Sequence, residues 1–187
     1  MSTGNNFKVF GPFKLKFLKG TKTLDASATE RAIESQIKRQ YPNDNLDSKR
    51  GCYVFAIRRS GGGASSGSFM PWYVGKAVKS PLLKESLDSE KYKKCYVKVA
   101  ATEHGTPVLF WIAKAAPGKK NSLNKGTIGK MEKKLIAAAA LRNPALMNQH
   151  HNKPLPFEIA GVPLDAQTHP RAKKRAAAWM WRMLRQD

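Results

Sequence analysis

The chain is expected to fold as an α+β protein, and three observations point there. Apolar, aromatic runs of strand length recur at residues 51–58, 72–75, 95–100 and 106–115. Helical spacing of apolar residues marks 26–41 and 124–142. The two kinds of segment alternate without the regular rhythm of βαβ units, which disfavours a doubly wound parallel sheet. With 187 residues, 41% of them hydrophobic and 25% charged, the chain suits one ordinary domain with a modest extension.

Taken in order, residues 7–18 (FKVFGPFKLKFL) alternate partly and carry Gly11-Pro12, the mark of a bent, edge-type strand. Residues 26–41 follow as a helix with Ala32, Ile33 and Ile37 in phase and Ser27 or Thr29 as N-cap. The turn-rich stretch from Pro42 to Arg50 ends it. The first 49 residues thus read as a strand and helix appended before the main domain.

Residues 51–58 (GCYVFAIR) are a buried strand, and Trp72-Tyr73-Val74-Gly75 is its hairpin partner across a flexible Gly/Ser loop. A helix over 81–93 carries Leu82, Leu83 and Leu87, and residues 95–100 (CYVKVA) read as another strand. The unbroken run Val108-Leu109-Phe110-Trp111-Ile112 predicts a central strand covered on both faces. The helix over 124–142 should stop at Asn143-Pro144. An edge strand at 157–163 and a basic helix at 171–185, docked by Trp179, Met180, Met183 and Leu184, complete the chain.

Charge narrows the partners. Thirty-four Lys and Arg against thirteen Asp and Glu give a formal net charge of +21. Such an excess repels itself in the compact state and favours a polyanion, most commonly nucleic acid, because neutralised phosphates release condensed counterions. Charge alone leaves membrane-surface and scaffold proteins open. No stretch reaches the roughly 20 apolar residues of a membrane span, and Met1 to Phe10 lacks a signal-peptide core. Cys52 and Cys95 form no CxxC pair, which fits a reducing compartment. A cytoplasmic protein without a membrane partner is therefore expected, nucleoid association being compatible with its charge.

Two familiar chemistries lack their residues. Gly75-Lys76 is not a phosphate-binding loop, since Met70 stands at the first Gly position and Ala77 at the Ser/Thr position. His104, His150, His151 and His169 have no compact ligand spacing for zinc. Glu132 is more informative. It lies four residues after Ile128 and three before Leu135, within the apolar stripe of its helix, while Lys130, Lys133 and Lys134 point elsewhere. A carboxylate there needs either a cation such as Mg²⁺ or a neighbouring Lys.

Gly51-Cys52-Tyr53 opens one strand of the hairpin and Tyr73-Val74-Gly75 ends the other. This pair of triplets resembles the GIY-YIG nuclease superfamily, with Cys52 and Val74 in place of the usual Ile residues. The likeness continues through a helix, an apolar strand and a helix carrying a Glu, over roughly residues 50 to 150. It implies a small mixed or antiparallel sheet flanked by helices, the domain running over 50–165, while the basic C-terminal helix at 166–187 lies outside the likeness. It also implies a divalent-metal-dependent endonuclease hydrolysing DNA phosphodiester bonds.

On that resemblance the catalytic residues are Tyr53, Tyr73, Lys76, Lys84, Glu132 and Asn148. The tyrosines handle the attacking water, Lys76 lowers a phenol's pKa or meets the phosphate, and Glu132 holds Mg²⁺ or Mn²⁺. The family places an Arg about eight to ten residues after the second triplet, but no Arg occurs between Arg59 and Arg142. Lys84 stands nearest that place, with Lys79 next. Either Lys84 substitutes for it, or the fold serves as a weak or inactive nucleic-acid-binding module. Lys79, Lys91, Lys93, Lys94, Arg171, Lys173, Lys174 and Arg175 are expected to contact nucleic acid, DNA being favoured.

Overall fold

In the computed structural model, which describes residues 7–21, 23–59, 68–114, 125–148, 180, 183 and 184, the organising element is an antiparallel four-stranded sheet. Its strands are β1 (Phe7–Lys14), β4 (Gly51–Arg58), β5 (Phe69–Ala77) and β6 (Thr106–Lys114), in the order β1-β6-β4-β5. A two-stranded ribbon, β2 (Lys16–Phe17) with β3 (Leu24–Asp25), leads into helix α1 (Ala26–Gln40). The α+β class holds.

Why β4 and β6 read as continuous apolar runs is now plain: they are the two interior strands, with helices on both faces. One face carries Cys52, Val54, Val74, Phe110 and Ile112. It packs against Ile128, Met131, Leu135 and Ala139 of the long helix α5 (Lys125–Arg142) and against Met180 and Met183. The other face carries Tyr53, Phe55, Leu109 and Trp111, and packs against Ile33 and Ile37 of α1 and a helical stretch between β5 and β6.

The leading segment expected as an appendage supplies the edge strand β1, whose Phe10 and Phe13 are fully buried. Its bend is as expected: Gly11 has φ +108, the Gly11–Pro12 bond is cis, and the register with β6 shifts between Phe10 and Phe13. The α1 cap lies earlier than expected. Asp25 accepts from the Ala28 amide at 2.9 Å, whereas Thr29 turns inward and accepts from the Lys16 amide at 2.8 Å, tying ribbon to helix.

One predicted strand is a helix. After α2 (Leu82–Ser86) the chain breaks at Asp88, whose side chain caps α3 (Ser89–Lys91). It continues through a π-helical turn at Tyr92–Val97 into α4 (Lys98–Thr102). Residues 95–100 thus form no strand. Their aromatic and β-branched content suggested one, but the buried positions, Tyr92, Cys95, Tyr96, Val99 and Ala100, recur at helical spacing, with Lys93, Lys94 and Lys98 outside. The expected strand at 157–163 lies outside the described residues, and so do most of the basic helix and the 60–67 loop tip.

Candidate active site at the β5 edge

The hairpin triplets have a steric logic of their own. Gly51 lies so close to β6 that a Cβ would come 2.0 Å from the Ile112 carbonyl oxygen. Gly75 faces Tyr53 across the β4–β5 ladder. A Cβ on Gly75 would sit 2.3 Å from Tyr53 Cζ and 2.4 Å from its hydroxyl oxygen. The Tyr53 ring therefore lies across the bare backbone of Gly75 and brings its hydroxyl to the outermost strand. Tyr73, one pleat along, stacks on it with centroids 6.2 Å apart and planes 26° apart.

Tyr96 of the π-helical turn meets Tyr73 edge-on at 6.3 Å, with Phe55 stacked behind it at 4.3 Å. Tyr53 and Tyr96 are fully buried; the Tyr96 hydroxyl has no hydrogen-bond partner among the described residues, and the Tyr53 hydroxyl has only the Tyr73 phenol beside it. Over the Tyr53 ring stands Lys91, its Nζ 6.0 Å from the centroid. Lys91 donates to the Glu85 carboxylate and, at 3.4 Å, to the Glu85 carbonyl.

Lys76 points to the other face of β5, where Nζ donates to Glu132 Oε2 at 2.6 Å. Register and helix phase make this contact. Lys76 sits opposite Cys52, and the Cys52 thiol donates to the Ile128 carbonyl at 3.5 Å, one turn before Glu132. The Lys76 side chain is 45% exposed and that of Glu132 only 14%. Of the two possibilities for a carboxylate in this stripe, the neighbouring Lys is realised.

Asn148 is committed to the backbone. Its Oδ1 accepts from the Val74 amide at 3.2 Å and its Nδ2 donates to the Val74 carbonyl. Asn143 Nδ2 donates to the Pro71 carbonyl at 2.7 Å, and the Met147 amide to the Trp72 carbonyl at 2.9 Å. The segment after α5 so covers the free edge of β5 from 71 to 74. Replacing Asn148 by alanine removes both bonds to Val74 and should cost about 1–3 kcal/mol, read as a lower urea midpoint.

Electrostatics assign the tyrosines a protonation state. Burial pushes the Tyr53 phenol far above the ordinary ~10, and the neighbouring Tyr73 and Glu85 push it further. Tyr73 is raised by burial, then by Cys95 and Glu132. A depression by Lys76, as a base role requires, is not the direction found, because burial outweighs any cation nearby. Both phenols are neutral hydrogen-bond donors.

All five tyrosines of the chain are raised, mainly by burial. Native stability is then fully present below the unfolded phenol's ~10 and falls as pH rises above it, by up to ~1.4 kcal/mol per unit for each tyrosine. For the fully buried Tyr53 and Tyr96, near-ultraviolet absorbance should show no tyrosinate until the chain unfolds, in one step with the loss of circular dichroism. Titration of either phenol in the folded state would contradict this.

Lys84 and Lys79 are exposed, and neither has an ion-pair partner among the described residues. Among the described residues no hydrogen bond, ion pair or cation–ring contact joins Lys84 to the tyrosines. Lys93 and Lys94 face solvent, Lys94 with a 3.6 Å pair to Glu90. Arg171, Lys173, Lys174 and Arg175 lie outside the described residues. Sequence reasoning missed Glu85 and Tyr96, and it left Lys91 on the general basic surface. The signal was the helical phase of Tyr92, Cys95 and Tyr96.

Among the described residues no group of three or more His, Cys, Asp and Glu could hold a metal ion, and no helix is long and apolar enough to cross a membrane. Glu132 alone offers a metal-type carboxylate on the α5 side, and Mg²⁺ that keeps its waters and takes substrate phosphates needs only one. The donor set is compatible with such an ion once Lys76 lets go. Comparison with protein-family models, curated proteins and solved structures finds no match.

Proposed function

We propose that the chain is a divalent-metal-dependent endonuclease that hydrolyses DNA phosphodiester bonds at the β5 edge. The observation carrying this reading is the use of β5 from both sides: Tyr53 lies across Gly75 and stacks on Tyr73 on one face, while Lys76 on the other face holds the Glu132 carboxylate. Residues of β4, β5 and α5 thus flank one edge strand of a strongly basic protein. The resemblance of the two triplets to GIY-YIG nucleases points the same way.

In this reading Glu132 holds Mg²⁺ or Mn²⁺, which when bound withdraws charge from the phosphoryl oxygens. Lys76 passes from Glu132 to the phosphate. Tyr53 and Tyr73, being protonated, orient the attacking water and the phosphate by donating hydrogen bonds, while Asn148 holds β5 in place. The exposed Lys79, Lys84, Lys93 and Lys94 meet backbone phosphates of low sequence information, as would the basic residues 171–175.

The test is direct. Purified protein with Mg²⁺ should nick supercoiled plasmid or cut branched DNA, and Glu132→Ala should abolish it. Intact DNA, with no effect of the substitution, rejects the enzyme. A second reading rests on the 2.6 Å Lys76–Glu132 pair, which already satisfies the carboxylate: a nucleic-acid-binding module without turnover. It predicts binding that ignores Glu132→Ala and weakens steeply with salt.

A further inference from the structure

The basic surface is broad, but one cation stands apart from it. Lys91 is a quarter exposed, lies over a fully buried phenol, and is held by Glu85, whose side chain is equally exposed. The pair arises because Asp88 breaks the helix and caps α3, which turns Lys91 back toward α2. Lys84, one residue before Glu85, faces solvent instead. A carboxylate that shares its lysine with solvent can be displaced by a better-placed anion. A phosphodiester arriving over Tyr53 is such an anion.

We propose that Lys91, held in reserve by Glu85, is the inner phosphodiester-binding cation of the β5-edge site, and that the phosphate takes over Lys91 from Glu85 as it enters. The Lys91 ammonium then moves from carboxylate to phosphate, and its departure uncovers the Tyr53 ring for the same ligand. This inference rests on the proposed reading of the β5 edge as a phosphodiester site. It puts the inner cation sixteen positions after Gly75, at Lys91, rather than at the solvent-facing Lys84.

A double-mutant cycle on a fluorescein-labelled duplex DNA, read by anisotropy at fixed moderate salt, tests it. Lys91→Ala should weaken binding about tenfold, with Lys38→Ala, at an exposed lysine of α1, changing it less than about threefold. Glu85→Gln should tighten binding severalfold by freeing Lys91. The decisive arm is Glu85→Gln in the Lys91→Ala background, where the tightening should vanish. If it persists there, Glu85 acts only as a repelling charge and the inference is overturned. Equal losses for Lys38→Ala and Lys91→Ala overturn it as well.

Melting temperatures of all four proteins identify any loss caused by misfolding, and Lys91→Arg should keep near-native affinity if charge over Tyr53 is what matters. The two levels fail differently. Native protein that neither binds nor cuts DNA defeats the reading of the site and the inference with it. Native protein that cuts DNA, needs Glu132 and ignores Lys91→Ala defeats the inference alone.

Discussion

Replacing Gly75 by alanine is expected to cost about 1–3 kcal/mol of stability, the usual range for overpacking a filled core. A Cβ there meets Tyr53 Cζ at 2.3 Å, closer than any relaxed contact, and the ring is fully buried with Tyr73 stacked beside it. The phenol has to swing off β5, taking its hydroxyl away from the edge where Tyr73 waits. Any cleavage activity should fall with the fold intact. Because the obstacle is a side chain, Tyr53→Ala should relieve much of the clash, so the double variant's loss in urea unfolding should be well below the sum of the singles. Additive losses would mean that Gly75 is needed for another reason. Gly51→Ala is the harsher control, since its Cβ meets the Ile112 carbonyl oxygen and no rotamer can yield.

The second large effect is chemical. Glu132→Gln keeps the shape of the side chain and removes its charge, so DNA cleavage should drop by on the order of 10²-fold or more, the scale of losing a dominant charge-stabilising group. Stability should hardly change. The carboxylate's partner Lys76 is 45% exposed, and pairs of that kind are worth about 0–1 kcal/mol. Cleavage within about twofold of native would contradict the role given to Glu132 and favour the binding module.

Much of the architecture was legible because burial leaves a mark on composition. Strands β4 and β6 are interior and covered on both faces, so each reads as an unbroken apolar run. Helix α5 is legible from its stripe and its Asn143-Pro144 stop, and the Gly11-Pro12 bend of β1 from two residues with special backbones. Residues 95–100 were misread because Cys, Tyr and Val favour strands locally, whereas the buried set spans Tyr92 to Ala100 at helical spacing. Nothing in the first 49 residues announced that β1 would pair with β6, since register between distant segments has no local signature.

At the site, the two triplets were legible as glycine and tyrosine positions, and the clashes at Gly51 and Gly75 say why those glycines are there. That a lysine could satisfy Glu132 was foreseeable; that it is Lys76 depends on the Cys52–Lys76 register and the phase of α5. The Glu85–Lys91 pair was invisible because it spans a helix break, and no i,i+4 spacing advertises it. The direction of the phenol pKa values depends on burial, which a hairpin motif does not reveal.

The central claim is that the Glu132 carboxylate can exchange Lys76 for a divalent cation at the β5 edge. Crystals soaked in Mn²⁺ test it most directly, through the metal's anomalous signal. The account predicts one Mn²⁺ peak at the Glu132 carboxylate with Lys76 turned away from it. Lys76 still bonded to Glu132 at saturating Mn²⁺, with no anomalous peak at the β5 edge, would contradict it.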